Sequence, residues 1–447
     1  MYQIAIGNLS LSPAFTVIHG AGIAAPAFKA TCFFNFTSGP FVSEHLEIEL
    51  KGTSDQIESF IAVLINYFHL GSLTVEGSLN APLALRFQRQ ADGPYSYAFL
   101  LSPSLAANPG SYLRQSQGSK LITIHYTRPN YFQGPKTPLP VSGLADPEPF
   151  TEDYPIYNHT YPPDSFDSTV SVNPAHFSTS LPAPLRLELK PISAAFNLNS
   201  LFIGLHHHKT DVGLSPFFFH HDTITGGAVL AEPSAIAGNY RSITFTSPTW
   251  ETCFSTTLTS DVLTKLSAFP YRPFLRLFAP HAYTDLFFKV TVIHGISTIH
   301  TTEAVYSPPG YGYVLLPSLN LPPGPLFKEA PPASLTFAIQ AFRESGAATT
   351  ITTDYLTLFP MSPGAIFYAF YPVKALFIDD SAFSRHGFRE SLLTGESVSH
   401  SRIGPPLVIH PQHFNRLFFA FSNNADLMPP LALSQLTAFY YPRYALL

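Results

Sequence analysis

Apolar residues in this chain come in short runs separated by turn-forming residues, and this pattern limits the fold more than any other feature. Between residues 193 and 358 the runs recur with no helical stretch among them, as in "SLFIGLHH", "YRSITFTS", "LFFKVTVIHG" and "SLTFAIQAF". Runs of this length bounded by Gly, Pro, Asn or Ser are typical of β-strands, and a long succession of them is typical of a sandwich. The sequence therefore predicts a mainly β protein with a β-sandwich or jelly-roll domain over 193–358.

The first 128 residues predict a separate β-domain with one helix. The segment "EHLEIELKG" alternates apolar and charged residues like a half-buried strand, and "LALRFQR", "YSYAFLL" and "KLITIHYTR" are further strand candidates. Between them, Thr53 and Gln56 have capping-box spacing and Gly71 is a suitable helix stop. The apolar residues of this segment share one helical face: Ile57, Phe60, Ile61, Leu64 and Phe68.

Residues 129–192 differ from their surroundings because they hold thirteen prolines and little apolar periodicity. Proline fixes the backbone near the polyproline II conformation, so we expect an extended arm or linker that can lie along another subunit. Residues 359–447 again contain strand candidates, such as "KALFIDDS", "NRLFFAFS" and "LTAFYYPRYALL", and we expect them to complete the N-terminal domain.

Charge and aromatic content indicate self-association. Charged residues make up 12% of the chain against about 25% in an ordinary domain, while Phe and Tyr number 40 and 22. A molecule with so little charge needs neighbours to cover apolar surface, so we expect a homo-oligomer.

The net charge of -5 gives no reason to expect nucleic acid or a membrane as a partner. The N-terminus lacks a basic region, and no long uncharged apolar run predicts a membrane span.

A group of histidines at 204–222, "GLHHHKTDVGLSPFFFHHD", raises the question of a metal site. On a strand, His206 and His208 face one side and His207 the other. If the two runs are neighbouring strands, His206, His208, His220 and Asp222 could hold a zinc ion and support a metal-dependent hydrolase. The spacing matches no zinc motif, however, so histidines that simply end strands are the preferred interpretation and no metal or cofactor is predicted.

Other motifs do not predict an enzyme. The sequence has no phosphate-binding glycine motif, and "GESVS" at 395–399 is not a hydrolase elbow. Asp379 and Asp380 could form an acid/base pair or bind calcium, but a turn capped by aspartates is the simpler interpretation.

Tyr311 and Tyr313, in "PGYGYVLLP", are the candidate glycan contacts, with packing at a sandwich edge as the alternative. Cys32 and Cys253 are interpreted as buried thiols. No catalytic residue is predicted.

Three stretches resemble the distal tail proteins of long-tailed bacteriophages. These are "HLEIELKGTSDQIESFIAVLINYF" with the strands that end in "LITIHYTRPNYFQGP", then "DYLTLFPMSPG", and finally "IGPPLVIHPQHFNRLFFAFS" with "LTAFYYPRYALL". Two positions depart from the family pattern: Pro411, Gln412 and His413 stand where a Pro-Gly turn is usual, and Phe132 replaces a tryptophan.

The resemblance implies an N-terminal ring-forming domain interrupted by a jelly roll. It implies a virion structural protein, made in the host cytoplasm, that forms a homo-oligomeric ring (a hexamer or a trimer) at the baseplate end of the tail and contacts other tail proteins. A tail tube subunit, a capsid-decorating protein and a carbohydrate-binding module that recognises a host surface glycan are the alternatives.

Overall fold

The structure of the protein is a computed structural model. It describes residues 3–6, 9–10, 15–19, 41–51, 55, 58, 61–62, 65, 84–88, 95–99, 101–107, 119–143, 148–157, 168–191, 198–209, 216–233, 235–246, 248–266, 271–319, 334–360, 365–369, 375–382, 386–391, 397–401, 404–423 and 432–444. The chain is mainly β, as the sequence predicts, and its strands form antiparallel sheets. No described helix is long and apolar enough to cross a membrane.

The N-terminal region forms two sheets. One has the order β2-β1-β5-β6-β9 and the other the order β3-β4-β8-β7, with strands where the alternating sequences predict them. The strands are β1 (Gln3–Ile6), β2 (Leu9–Ser10), β3 (Phe15–His19), β4 (Phe41–Lys51), β5 (Ala84–Gln88), β6 (Tyr95–Phe99), β7 (Leu101–Ala107), β8 (Ser119–Pro129) and β9 (Phe132–Gln133).

The predicted N-terminal helix is confirmed at the positions that the structure describes. Asp55, Glu58, Ile61, Ala62 and Ile65 are helical, with Ile61 half-buried and the other four exposed. The rest of the proposed apolar face lies outside the described residues, as do Thr53, Gln56 and Gly71.

The next six strands begin a sandwich. They are β10 (Thr137–Pro138), β11 (Ser142–Gly143), β12 (Tyr154–Tyr157), β13 (Thr169–Val172), β14 (Ala183–Pro191) and β15 (Leu198–His208), with a short 3-10 helix at Pro174–His176.

The following strands build a second sandwich within residues 217–360. They are β16 (Phe217–His220), β17 (Ile224–Thr225), β18 (Ala228–Ala231), β19 (Asn239–Phe245), β20 (Glu251–Thr259), β21 (Tyr271–Leu277), β22 (Leu286–His294), β23 (Ser297–Thr301), β24 (Val305–Tyr306), β25 (Tyr313–Leu315), β26 (Ser334–Arg343) and β27 (Thr349–Pro360).

The C-terminal strands return chiefly to the first sandwich. They are β28 (Ala365–Ala369), β29 (Ala375–Asp380), β30 (His386–Ser391), β31 (Ser397–Ser401), β32 (Val408–Ile409), β33 (Phe414–Asn423), β34 (Ala432–Tyr440) and β35 (Arg443–Tyr444). Among the described C-terminal strands, only β35 reaches the N-terminal sheets, through its pairing with β9. The expectation that 359–447 complete the N-terminal domain is therefore wrong for the other described strands.

Both sandwiches have the same strand order. In the sandwich of 217–360 the sheets run β19-β27-β21-β25 and β20-β26-β22-β23. In the flanking sandwich they run β12-β34-β14-β29 and β13-β33-β15-β28. When the eight strands named for each sandwich are numbered in chain order, one sheet has the order 1-8-3-6 and the other has the order 2-7-4-5. This is the order of an eight-stranded jelly roll.

One jelly roll is inserted into the other. The inner jelly roll (217–360) lies between β15 and β28, the fourth and fifth strands of the outer jelly roll (154–208 and 365–440). The predicted boundary at residue 193 is therefore displaced: β15, assigned from sequence to the middle domain, pairs with β28 and β33 of the outer jelly roll. The insertion divides a second jelly roll and not the N-terminal sheets.

The proline-rich segment is not a free arm in its described parts. Its strands β10 to β14 belong to the outer jelly roll, and Ile156, Val170 and Leu187 are fully buried there. Proline is tolerated in this sandwich because β10 and β12 each pair on one side only, with β34, and an edge strand needs no second row of N–H donors. The prediction of an extended linker over 129–192 is therefore wrong for these residues.

A short helix at Ser260–Leu266 interrupts the inner jelly roll, where the sequence predicts strands only. Asp261 lies in its first turn, and the side chain of Leu263 is buried in the core. The helix was not predicted because it is only seven residues long, and its three apolar residues, Val262, Leu263 and Leu266, are too few to show helical periodicity.

Aromatic side chains join the two jelly rolls. Phe202 of the outer jelly roll contacts Phe274 of the inner one with ring centroids 4.2 Å apart, and Phe359 contacts Phe418 at 5.4 Å. Phe274 and Phe418 are fully buried. The junction is thus continuous apolar packing between one sheet of each jelly roll.

Candidate functional site

The histidines proposed as a metal set are separated in the structure. His206 and His208 lie on β15 of the outer jelly roll, whereas His220 ends β16 of the inner one and Asp222 lies in the turn after it. The two strands belong to different sheets, because the chain leaves one jelly roll and enters the other between them. The hypothesis of neighbouring strands, and with it the hydrolase site, is wrong.

A different histidine cluster occupies the opposite face of β15. His207 stacks on His410 with ring centroids 3.6 Å apart and planes inclined by 18°, and His413 lies 5.3 Å from His207. One ring nitrogen from each of the three histidines lies within 4.8 Å of the others. All three residues are half-buried. The arrangement brings three nitrogen donors together at one end of the outer jelly roll.

Strand pairing and a tight turn build this histidine cluster. His207 on β15 is the register partner of Asn415 on β33, which places it beside the turn that joins β32 to β33. Gln412, at the centre of that turn, has φ of 60°, the left-handed region in which glycine is usually preferred. The turn carries His410 at one end and His413 at the other, so both rings reach His207.

The side chain of Asn415 fixes the turn. Its Oδ1 accepts a hydrogen bond from the backbone N–H of His410 at 2.9 Å. Its Nδ2 donates to the backbone oxygens of His410 at 3.2 Å and His413 at 2.8 Å. Because Asn415 is fully buried, these bonds are shielded from water and hold the two histidines at a constant spacing.

Burial keeps these imidazoles uncharged at neutral pH. Desolvation, with a further contribution from His410 and His413, lowers the pKa of His207 to about 4. Desolvation also lowers the pKa of His410 and of His413 below the usual value. On the other face of β15, burial lowers the pKa of His206 to about 3. A neutral imidazole keeps a lone pair on one ring nitrogen, which is the form that binds metals.

The two candidate glycan contacts do not form an exposed pair. Tyr313 is 8% exposed, and its hydroxyl lies 2.6 Å from the hydroxyl of Tyr355 inside the junction between the jelly rolls. Tyr311 is half-buried on the preceding loop. The prediction of a sugar-stacking platform is therefore wrong for Tyr313, and the packing alternative describes its position.

An ion pair lies next to these tyrosines. The guanidinium of Arg276 donates to the carboxylate of Asp354, and both side chains are buried. Asp354 also accepts a hydrogen bond from the backbone N–H of Ile236 at 3.3 Å. The two charges are therefore paired within the junction between the jelly rolls.

Asp379 and Asp380 end β29 and cap the turn that follows it, as the simpler interpretation predicts. Asp380 accepts a hydrogen bond from the backbone N–H of Ala382 at 3.1 Å, and Asp379 accepts one from the Ser381 hydroxyl at 2.9 Å. Asp380 also pairs with Arg186 at 3.2 Å. Cys253 is fully buried, in agreement with its interpretation as a buried thiol, and Cys32 lies outside the described residues.

Two edge strands of the inner jelly roll expose apolar side chains. All four residues of β18 are exposed, including Val229 and Leu230 at 48% and 42%. At the edge of the other sheet, Ile296 directly before β23 and Ile299 within β23 are also exposed. Among the described strands, β18 pairs only with β19 and β23 only with β22. Each therefore presents an edge that no described strand covers, and the edge of β18 is apolar.

Sequence reasoning did not find His410 and His413 as partners of His207. The signal was present as "HPQHF" next to a predicted strand, but about two hundred residues separate it from His207, and only the nested topology brings them together.

Comparison with known proteins identifies no family for the chain. No protein-family model matches the sequence, and no curated protein is similar to it. Among solved structures, the chain is similar to the infectious bursal disease virus VP2 subviral particle at 10% sequence identity, over 68% of this chain and 75% of that chain, with a TM-score of 0.12. A TM-score this low supports no statement about fold or function.

Proposed function

We propose that this chain is a structural subunit of a virion that assembles with copies of itself. The observation that carries the proposal is the nesting of one jelly roll inside another. Jelly rolls occur in viral capsid subunits and in lectin domains. The two sandwiches pack against each other through an aromatic junction and make a two-part subunit.

The exposed strand edges support self-association. A strand edge presents unpaired N–H and C=O groups and pairs readily with another chain unless it is charged, bulged or covered. The β18 edge carries Val229 and Leu230 in exposed positions without a charged residue in the strand. Copies of this chain are the partners that can cover such edges in every subunit at once.

Two forms of assembly follow from different observations. A closed shell is supported by the nested jelly rolls, because one jelly roll can build a shell while the inserted one forms a projection on it. A distal ring at the end of a phage tail is supported by the sequence resemblance. That resemblance implies a jelly roll inserted into the N-terminal domain, whereas this one is inserted into another jelly roll. We therefore propose a closed shell as the first candidate assembly and the tail ring as the second.

Electron microscopy of the purified full-length protein tests the proposal. We expect closed particles if the chain forms a shell, and rings of constant diameter if it is the distal tail protein. A continuous stack would identify a tail tube subunit. Single molecules at every concentration, with no assembly of any form, would contradict the proposal.

A further inference from the structure

We propose that His207, His410 and His413 form a binding site for a transition-metal cation, with Zn²⁺ as the reference ion. The ligand set is three imidazole nitrogens, which suit zinc, copper, nickel and iron better than calcium or magnesium, since the latter prefer oxygen donors. This site is distinct from the set of His206, His208, His220 and Asp222, which the structure separates.

The spacing of the three nitrogens is close to what such an ion needs. They lie within 4.8 Å of one another, whereas tetrahedral zinc with Zn–N bonds of 2.0–2.1 Å requires nitrogens about 3.3 Å apart. The rings are nearly parallel, with interplanar angles of 17° to 22°, so each must turn to aim its lone pair at a common ion. Rotation about the bond to the ring is soft for histidine, and the backbone need not move.

A nitrogen of His413 supports the assignment independently. Its Nδ1 is buried and has no hydrogen-bond partner among the described residues. Leaving a buried polar atom unpaired costs about 1–3 kcal/mol in general, and coordination of a cation would remove that penalty. The second histidine of the turn, His410, is held by Asn415 through two backbone hydrogen bonds.

The position of the site indicates what the ion would do. His207 lies near the end of β15, where the chain leaves the outer jelly roll for the inner one, and the other two ligands flank the turn before β33. An ion would therefore tie the exit strand to a turn that follows the whole insertion in sequence. Three protein ligands leave a fourth position for water or another donor.

Metal binding to the full-length protein tests this proposal. The protein is first treated with a chelator, then titrated with Zn²⁺ alone in a calorimeter, and its metal content is measured after desalting. We expect about one zinc ion per chain, because the cluster provides one set of ligands. We expect the His413→Gln variant to bind zinc at least about tenfold more weakly, since it loses one donor but keeps a side chain of similar size.

The control is His176→Gln, which changes an exposed histidine of the same outer jelly roll. It should bind zinc like the unmodified protein. Zinc should also raise the melting temperature of the unmodified protein and of the control, and not that of His413→Gln, because ligand binding stabilises only a fold that holds the site. Absence of zinc binding in the unmodified protein, or undiminished binding by a folded His413→Gln, would overturn the proposal.

Discussion

At the scale of single residues, His281 links the stability of the inner jelly roll to pH. Its Nδ1 accepts a hydrogen bond from the backbone N–H of Tyr283 at 3.2 Å, and its Nε2 lies 2.7 Å from the Ser307 hydroxyl in a buried site. Burial lowers the pKa of His281 from 6.5 to about 4. A proton on Nδ1 would face the Tyr283 N–H, so the fold requires the neutral ring.

We therefore expect stability to fall with acidification. The unfolded chain takes up a proton at His281 near pH 6.5 and the folded chain only near pH 4, so the stabilisation is complete above pH 6.5 and is lost as the pH falls towards 4. The loss from this residue is up to about 3 kcal/mol. Urea unfolding measured between pH 7 and pH 4 tests this. The His281→Gln variant should show a weaker dependence on pH; an identical slope would contradict the assignment.

The ion pair between Arg276 and Asp354 leads to a second prediction. Replacing Arg276 by Met leaves the Asp354 carboxylate buried without its partner, and breaking such a pair typically costs about 3–5 kcal/mol. Urea unfolding should show this loss. The double variant Arg276→Met with Asp354→Leu should recover much of it, because neither charge remains. A single variant as stable as the unmodified protein would show that the pair contributes little.

Residue orientation was predictable only within one strand. The alternation that sets His206 and His207 on opposite faces of β15 follows from strand geometry and is confirmed. The partners of His207 were not predictable. Asn415 lies opposite His207 because of the register between β15 and β33, and His410 contacts His207 from the turn before β33. Tyr313 was misread for a similar reason: a tyrosine in a glycine-rich loop looks exposed until the second jelly roll covers it.

At the scale of elements, the edge strand β18 carries the clearest prediction about assembly. Replacing Val229 by Lys places a charge on an exposed apolar edge, a change that natural edge strands use to block pairing. We expect the particle mass to fall while the melting temperature of the subunit stays nearly constant, because Val229 is 48% exposed. Light scattering and thermal unfolding measure the two quantities.

A matched control is Thr225→Lys on β17, which is also exposed but pairs along an edge of the other sheet. Thr225→Lys should lower the particle mass less than Val229→Lys does. If Val229→Lys forms particles of unchanged mass, β18 is not part of the contact between subunits.

Strands were predictable where the apolar pattern is strong and not where proline obscures it. The period-two alternation of "EHLEIELKG" corresponds to β4, and the runs of the inner jelly roll correspond to its strands. In 129–192 the strands β10 and β12 are short and contain proline, so their sequence resembles a linker. Both pair with β34, which lies about three hundred residues away in sequence.

At the scale of the whole molecule, the aromatic junction should couple the two jelly rolls. Phe202 contacts both Phe274 and Phe359 of the inner jelly roll. Replacing Phe202 by Ala removes these contacts and should cost about 3–5 kcal/mol, as large-to-small changes in cores do. We expect calorimetry to show one main transition for these domains in the unmodified protein and two in the variant. A variant that unfolds like the unmodified protein would show that the Phe202 contacts do not couple the jelly rolls.

The nesting itself was not predictable from the sequence. Each strand was recognisable from its local pattern, but the order of strands in a sheet depends on pairings across the insertion, such as β15 with β33. In the sequence, strand-like segments follow one another with no boundary to mark where the outer jelly roll ends and the inner one begins. Composition was interpreted as a sign of self-association, whereas Phe274 and Phe418 are two aromatic side chains that are covered within the chain itself.

The mass of the purified full-length protein in solution tests the central claim most directly. Sedimentation at increasing concentration should show a discrete assembly of many copies, because we propose that neighbouring copies cover the exposed edges of the inner jelly roll. The same assembly should form from protein made without any other virion component. A single species with the 49.1 kDa mass of one chain at all concentrations would contradict the account.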